Sequence, residues 1–289
     1  MIVDTHGHVQ FNAFQDDGNE VIRRAFEADV AIIMPSSQID TSRRAVQFAE
    51  RVGDIRLWAA VGLHPIHLED IKIDEDEVGE LPKFKTRQEE FKRENYEPFL
   101  ESAKVIAVGE IGLDYWKRPR GATKKEEYKK RQRDTLVAQL DMAADHGLPV
   151  ILHNRVAHED MLDILASHRI TKEVNLPGVI HSFTGDGNQL KAYLALGYYI
   201  GFNGIIFKLQ WLDDVIKTAP LDRILLETDS PYLLPPTIPQ SELLVEGRNE
   251  PIGVKYVAER IAELKGISVE QVEEQTTRNA QQVFKIEFA

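Results

Sequence analysis

The sequence predicts an α/β fold, a (β/α)8 TIM barrel with its site at the C-terminal ends of the strands, and three observations carry the prediction. Short apolar runs alternate with longer amphipathic stretches, and the alternation repeats eight times. The runs are nearly continuous in apolar residues, as strands covered by helices on both faces are. The chain has 289 residues, and one such barrel typically needs about 250.

The runs fall at 2–4, 31–35, 57–61, 105–109, 149–152, 178–180, 199–202 and 224–227. The stretches between them read as helices. Residues 19–28 carry Val21, Ile22 and Ala25 on one face, and 41–52 carry Ala45, Phe48, Ala49 and Val52. The long stretch 124–146 groups Leu136, Leu140 and Ala143, then stops at Gly147 with Pro149 beyond it. Stretches 160–168, 188–196 and 254–265 complete the set, and Gly197 and Gly266 read as helix-ending residues. Ser268 with Gln271 reads as a capping box opening a last helix, which carries Val272, Ala280 and Val283. A doubly wound open sheet is the structural rival. No G-x-G-x-x-G follows any strand, and no G-x-x-x-x-G-K-[ST] occurs, so neither phosphate-cradling loop is present.

One domain is expected over residues 1–289. Residues 66–97 break the rhythm with a highly charged connection. It leaves the C-terminal end of the third run, where it would form either a lid over the barrel mouth or an ordinary surface excursion. Hydrophobic residues make up 43% and charged residues 28%, which fits a globular enzyme. No window approaches ~18 uncharged apolar residues, so no membrane span is expected. The opening MIVDTHGH has no basic n-region, so no signal peptide is expected. The chain has no cysteine, which excludes disulfides and thiolate metal sites and points to the cytoplasm. The net charge of −12 argues against a broad phosphate-binding face. A local basic funnel or a metal site remains as a means of holding phosphates.

Five of the nine histidines sit at or just past the end of a run: His6, His8, His64, His153 and His181. Glu110 and Asp229 hold the same kind of position. In a barrel these ends converge on one mouth. Residues two apart on a strand point the same way, so His6 and His8 can share one metal. Glu110 can reach the same ion or bridge two, and His153 and His181 can hold a second. Asp229 can bind metal and accept a proton from attacking water. A lone strand-end histidine is more often structural, but seven such residues on six strands argue for a site. Nitrogen-rich ligation suits Zn²⁺ or Mn²⁺ better than Mg²⁺, which stays usable where substrate phosphates add oxygens. Two divalent ions ~3.5–4 Å apart would activate water and hold a scissile group. The remaining histidines read as structural or solvated: His146 at a helix C-terminus, His158 and His168 around a helix, and His67 in a loop. The segment DYWKRPRGATKK sets Lys117, Arg118, Arg120, Lys124 and Lys125 beside Tyr115 and Trp116. That mixture reads as a single-strand platform, with a solvated loop as the alternative.

The chain resembles the TatD family of metal-dependent deoxyribonucleases, within the amidohydrolase-like barrels. The likeness is carried by DTHGH at 4–8, VGLHP at 61–65, GEIGLDYW at 109–116, LPVILHNR at 148–155, HSFTG at 181–185, LLETDSPYLLP at 225–235 and RNEP at 248–251. It implies that His6, His8 and Asp229 bind one metal, His153 and His181 a second, and Glu110 both. It implies that His64 contacts the scissile phosphate, and that Arg155 and Arg248 position phosphate or brace loops. Departures are Gly7 and Gln10, where the family usually has Cys and Asp, and a longer 66–97 segment. The related phosphotriesterase-like barrels use a carbamylated lysine where Glu110 stands. The activity implied is a DNA exonuclease working at single-stranded or frayed ends, as a monomer, with Mg²⁺, Mn²⁺ or Zn²⁺. Its catalytic groups would be Asp229, Glu110 and His64. A small-molecule hydrolase of amides, lactones or esters with the same cage is the alternative.

Overall fold

The computed structural model describes residues 1–70, 72–73, 84–117, 119, 121–172 and 175–288. The strands are β1 (Ile2–Asp4), β2 (Val30–Met34), β3 (Leu57–Val61), β4 (Lys72–Ile73), β5 (Phe84–Lys85), β6 (Val105–Asp114), β7 (Val150–Arg155), β8 (Gly178–Ile180), β9 (Tyr199–Phe202) and β10 (Ile224–Leu226). Eight of them form one parallel sheet in the order β1-β2-β3-β6-β7-β8-β9-β10. The ends of the sheet come together through Thr5 N–H to Leu226 O (3.0 Å), Asp229 N–H to His6 O (2.7 Å) and His8 N–H to Ser230 O (2.8 Å). The result is a nearly closed (β/α)8 barrel.

Alternate side chains of each strand serve two layers. Val3, Ile33, Ala60, Ala107, Ile151, Val179 and Leu225 form one buried cluster with Val283 and Phe284 of the last helix. Their chain neighbours Ile2, Ile32, Ala59, Val150, Ile180 and Ile224 join the cluster that holds the outer helices. This two-sided burial is why the strands read as unbroken apolar runs.

The helices are α1 (Gly18–Glu27), α2 (Ile39–Val52), α3 (Arg93–Tyr96), α4 (Ala122–Asp145), α5 (His158–Lys172), α6 (Gly187–Ala195), α7 (Leu212–Thr218), α8 (Val254–Lys265) and α9 (Val269–Phe284). Ser268 caps α9 in the expected box with Gln271, and Gly266 ends α8 in the left-handed conformation at φ 65°. A cap of this kind contributes about 1 kcal/mol. Most boundaries lie within a few residues of the sequence expectation, and the largest strand difference is in the fourth barrel strand. There β6 continues to Asp114, because Gly112, Leu113 and Asp114 keep pairing with β7. Helices α3 and α7 have no counterpart in the sequence reading.

The described ends of the charged connection are tied down. Thr86 Oγ1 donates to Glu69 O (2.6 Å), Gln38 Nε2 to Arg87 O (2.8 Å) and Glu89 N–H to His67 O (2.8 Å). The middle of that connection, for which a lid and an ordinary surface excursion are the two expectations, lies outside the described residues. Among the described residues no helix is long and apolar enough to cross a membrane.

Candidate metal centre

The barrel mouth gathers what the strand ends supply. His6 and His8 follow β1, His64 follows β3, Glu110 lies in β6, His153 in β7, His181 follows β8 and Asp229 follows β10. Glu110 reaches the middle because β6 bulges there. Val108 pairs with Val150 but Ile111 pairs with Leu152, so the β6 ladder is one residue too long. The displaced backbone bonds to Ser36 instead, with Ser36 N–H to Gly109 O at 3.1 Å and Glu110 N–H to Ser36 O at 2.8 Å.

Glu110 Oε1 lies 2.8 Å from His153 Nδ1, 3.4 Å from His64 Nε2 and 3.8 Å from His181 Nε2. Its Oε2 lies 3.2 Å from His6 Nε2. Asp229 Oδ1 lies 3.3 Å from His8 Nε2 and 3.8 Å from the Nε2 atoms of both His6 and His181. Asp229 holds a left-handed backbone, φ 57°, a conformation that costs energy and tends to be kept where a site needs it. All seven expected residues therefore meet at one place.

The outer hydrogen bonds fix which ring nitrogen carries a proton. His8 Nδ1 faces the Pro35 carbonyl at 3.0 Å, so it must donate. His181 Nδ1 faces Glu227 Oε2 at 2.9 Å, and His153 Nε2 faces Asp114 Oδ2 at 3.2 Å, so these donate too. The opposite nitrogens of these rings point toward the centre, where an ion can take the place of a proton. There they meet carboxylate oxygens and, for His8, the Nε2 of His6 at 3.2 Å. A ring nitrogen set against a carboxylate oxygen or a second ring nitrogen needs a positive charge between them, a proton or a metal ion. His64 differs. Its Nδ1 accepts from Ile66 N–H at 3.0 Å, which leaves the proton on Nε2, the atom turned to Glu110.

The charge balance agrees. Burial alone would raise Glu110, but His64, His6 and His181 outweigh it and hold the carboxyl well below the usual range. Burial works the same way on Asp229, and His8, His181 and His6 hold it low. Burial pushes His6 down to about 4 and lowers His64. It also opposes the charge on His153 and His181, yet Asp114 and Glu110 lift the first to about 9, and Glu227 and Glu110 lift the second to about 10. Among the described residues only histidines pair with Glu110 and Asp229. A site with two ionised carboxylates, inward ring nitrogens and no lysine or arginine fits divalent cations. Two side-chain groups around Glu110 bring ligand-type atoms within 4.8 Å of one another: His6, His8 and Glu110, and His64, Glu110 and His153, of which His64 turns a protonated nitrogen inward.

Sequence reading missed three buried carboxylates. Asp114 stands four residues after Glu110 on β6, Glu227 two before Asp229, and Asp4 two before His6. The spacing of two or four along a strand is the signal that could have found them. Asp4 accepts from His6 N–H (3.2 Å), Thr228 N–H (2.9 Å) and Thr228 Oγ1 (2.6 Å), which ties β1 to the end of β10. Burial pushes its carboxyl up to about 7. The departures at Gly7 and Gln10 fit this surrounding. A Cβ at Gly7 would stand 2.7 Å from Asp4 Oδ2, and Gln10 Nε2 donates to the same Pro35 carbonyl as His8, at 2.5 Å.

Several expectations need correction. Tyr115 is only 2% exposed. Its hydroxyl donates to Asp160 at 2.7 Å and Lys129 Nζ lies 4.5 Å from its ring centre, so it cannot stack a base. Trp116, its neighbour on the opposite face, is 50% exposed, and the Arg155 guanidinium lies 4.4 Å from its ring centre. Lys117 is half-buried, while Arg118 and Arg120 lie outside the described residues. Arg248 needs no correction: of its two expected roles it takes the bracing of loops, donating to Asp17 Oδ1 and Oδ2 (3.0 and 2.6 Å) and to Ala13 O (2.7 Å). His168 is not solvated but buried against Asp141 at 3.0 Å. His158 is half-buried beside Asn154 and Tyr193.

A (β/α)8 barrel that collects this histidine and carboxylate set at its mouth defines a metal-dependent hydrolase. Residues 3–285 match the family model described as TatD related DNase, and the chain belongs to that family. It is 32% identical over 290 residues to the uncharacterized metal-dependent hydrolase YabD of Bacillus subtilis (strain 168), covering 99% of this chain and all of that one. It is 32% identical over 281 residues to the protein named 3'-5' ssDNA/RNA exonuclease TatD of Edwardsiella piscicida, covering 94% of this chain and 95% of that one. Among solved structures, the TatD homologue YJJV of Escherichia coli K12 superposes with a TM-score of 0.77 at 30% identity, over 99% of this chain and 98% of that one.

Proposed function

We propose that this chain is a metal-dependent deoxyribonuclease that shortens DNA from single-stranded or frayed ends, using two divalent ions, Mg²⁺, Mn²⁺ or Zn²⁺, at the barrel mouth. The observation that carries the reading is the set of ring nitrogens that converge on the Glu110 and Asp229 oxygens. His6, His8 and Asp229 would hold one ion, His153 and His181 the other, and Glu110 would serve both. The chemistry such ions would supply there is a more acidic water and a sink for charge on a phosphoryl group.

The chain's own residues supply the rest. Asp229 is ionised at neutral pH and accepts the proton that the attacking water gives up. His64, with its N–H at Nε2, donates to a phosphate oxygen as charge builds there. Trp116 and Arg155 make a combined aromatic and cationic face at the ends of β6 and β7, suited to a base and its phosphate. The name of the Edwardsiella piscicida relative supports the same substrate class.

The test is product mapping on end-labelled single- and double-stranded oligonucleotides with Mg²⁺, Mn²⁺ and Zn²⁺ compared. Stepwise shortening of single strands, absent in Glu110→Ala, is the expected outcome. Turnover confined to small esters or amides would overturn it in favour of a small-molecule hydrolase.

A further inference from the structure

Glu227 is a fully buried carboxylate that the reading above leaves without a task. Its Oε2 accepts from His181 Nδ1 at 2.9 Å and from the Ser182 backbone N–H at 3.0 Å. Its Oε1 is buried and unpartnered, and so is His6 Nδ1. The His6 and His181 rings are stacked, with centroids 3.4 Å apart and planes 17° apart. Both turn Nε2 to the carboxylates of the centre, which leaves both Nδ1 atoms on the far side. A ring nitrogen of His6, one of His181 and an oxygen of Glu227 lie within 4.8 Å of one another.

The sequence also makes room for this carboxylate. An ideal Cβ on Gly201, in β9, would stand 2.1 Å from Glu227 Oε1 and 2.7 Å from Oε2. Any side chain there would expel the group. Glycine at 201 and glutamate at 227 therefore form a slot and its occupant.

We propose that Glu227 is one positioning residue for two metal ligands. Oε2 orients His181 through the bond above; Oε1, which is not bonded to His6 Nδ1 here, would accept from that nitrogen once an ion takes Nε2, so each ring aims its Nε2 inward. His6 and His181 belong to different ions in the arrangement above, so this single carboxylate couples both ion positions. The inference rests on that metal-centre reading.

The experiment is a Co²⁺ titration of metal-free protein against a competing chelator, reading the affinity of each site and the visible Co²⁺ spectrum, for wild type, Glu227→Gln and Gly201→Ala. Thermal unfolding of each metal-free protein is recorded alongside. In Gly201→Ala, where the carboxylate is displaced, both affinities fall by ~10–100-fold. In Glu227→Gln the side-chain carbonyl still serves His181 and Ser182, but the amide meets the His6 N–H. The ion held by His6 then weakens more than its neighbour, and its spectrum changes. Glu227→Gln adds no bulk and decides the matter alone if Gly201→Ala does not fold. Wild-type affinities in both variants overturn the inference. A third Co²⁺ in wild type that Glu227→Gln loses would also overturn it, since Glu227 would then be a ligand. A wild type that binds no Co²⁺ instead removes the metal-centre reading beneath it.

Discussion

Glu110 touches both halves of the centre, so its loss should cost twice what the loss of an outer ligand costs. The perturbation is Glu110→Ala beside His8→Ala, each compared with and without ions. A ligand held at one hundred times its dissociation constant stabilises the folded state by about 2.7 kcal/mol, so two ions give about 5.4 kcal/mol. Unfolding entropy of about 2.1 cal/mol/K per residue becomes roughly 0.6 kcal/mol/K for 289 residues. Loading both ions should then raise the midpoint of wild type by about 9 °C. Oε1 and Oε2 of Glu110 lie 2.8 Å from His153 and 3.2 Å from His6, so Glu110→Ala should lose nearly the whole shift. His8→Ala leaves the His153–His181 half intact and should keep about half of it, ~4–5 °C. The assay is calorimetry of chelator-treated protein titrated with Mn²⁺ or Zn²⁺. Reading the shift within each variant separates ion binding from any effect of the substitution on the metal-free fold. A Glu110→Ala protein that still gains about 9 °C, or a wild type that gains nothing, would refute the reasoning.

Other outcomes follow from the same geometry. Asp229→Asn should keep the fold and lower kcat on single-stranded oligonucleotides by ~10²–10⁴-fold, the usual contribution of a positioned proton acceptor; an unchanged kcat would remove Asp229 from that role. Trp116→Ala should raise KM for single strands by the ~1–3 kcal/mol of one stacked base while leaving kcat near wild type, and steady-state kinetics with short oligonucleotides would read the split. His67 carries a pH signature. Burial, with His64 adding to it, pushes its imidazole down to about 3, against ~6.5 in an unfolded chain. As pH falls through that window the unfolded chain takes up a proton that the folded chain refuses, so acid destabilises the fold. His67→Gln should therefore lose stability less steeply than wild type between pH 6.5 and 4, and equal slopes in denaturant melts would contradict this.

The frame was legible because its physics is periodic. Strands covered on both faces must be apolar throughout, so the runs at 57–61, 178–180 and 199–202 coincide with β3, β8 and β9. The inward histidines were legible because strand ends in a barrel converge. The groups behind them were not, because an aspartate or glutamate inside a motif looks the same whether it orients an imidazole or faces water. Only the strand order β8-β9-β10 brings Glu227 behind His181, 46 positions away. Tyr115 was misread for a simpler reason. It adjoins Trp116, and successive strand-like side chains face opposite ways, so one aromatic goes to the core when the other goes out. The end of β6 was placed early because GEIGLD breaks the apolar run just where the bulge turns Glu110 inward. Helix α7 is short and carries Asp213 and Asp214 in its first turn, too little periodic signal to stand out.

Anomalous diffraction from crystals grown with Mn²⁺ tests the central claim most directly. Two peaks ~3.5–4 Å apart, bridged by the Glu110 carboxylate and flanked by His6 and His8 on one side and His153 and His181 on the other, are the predicted result. A map with no peak within bonding distance of Glu110, at full Mn²⁺ concentration, would contradict it.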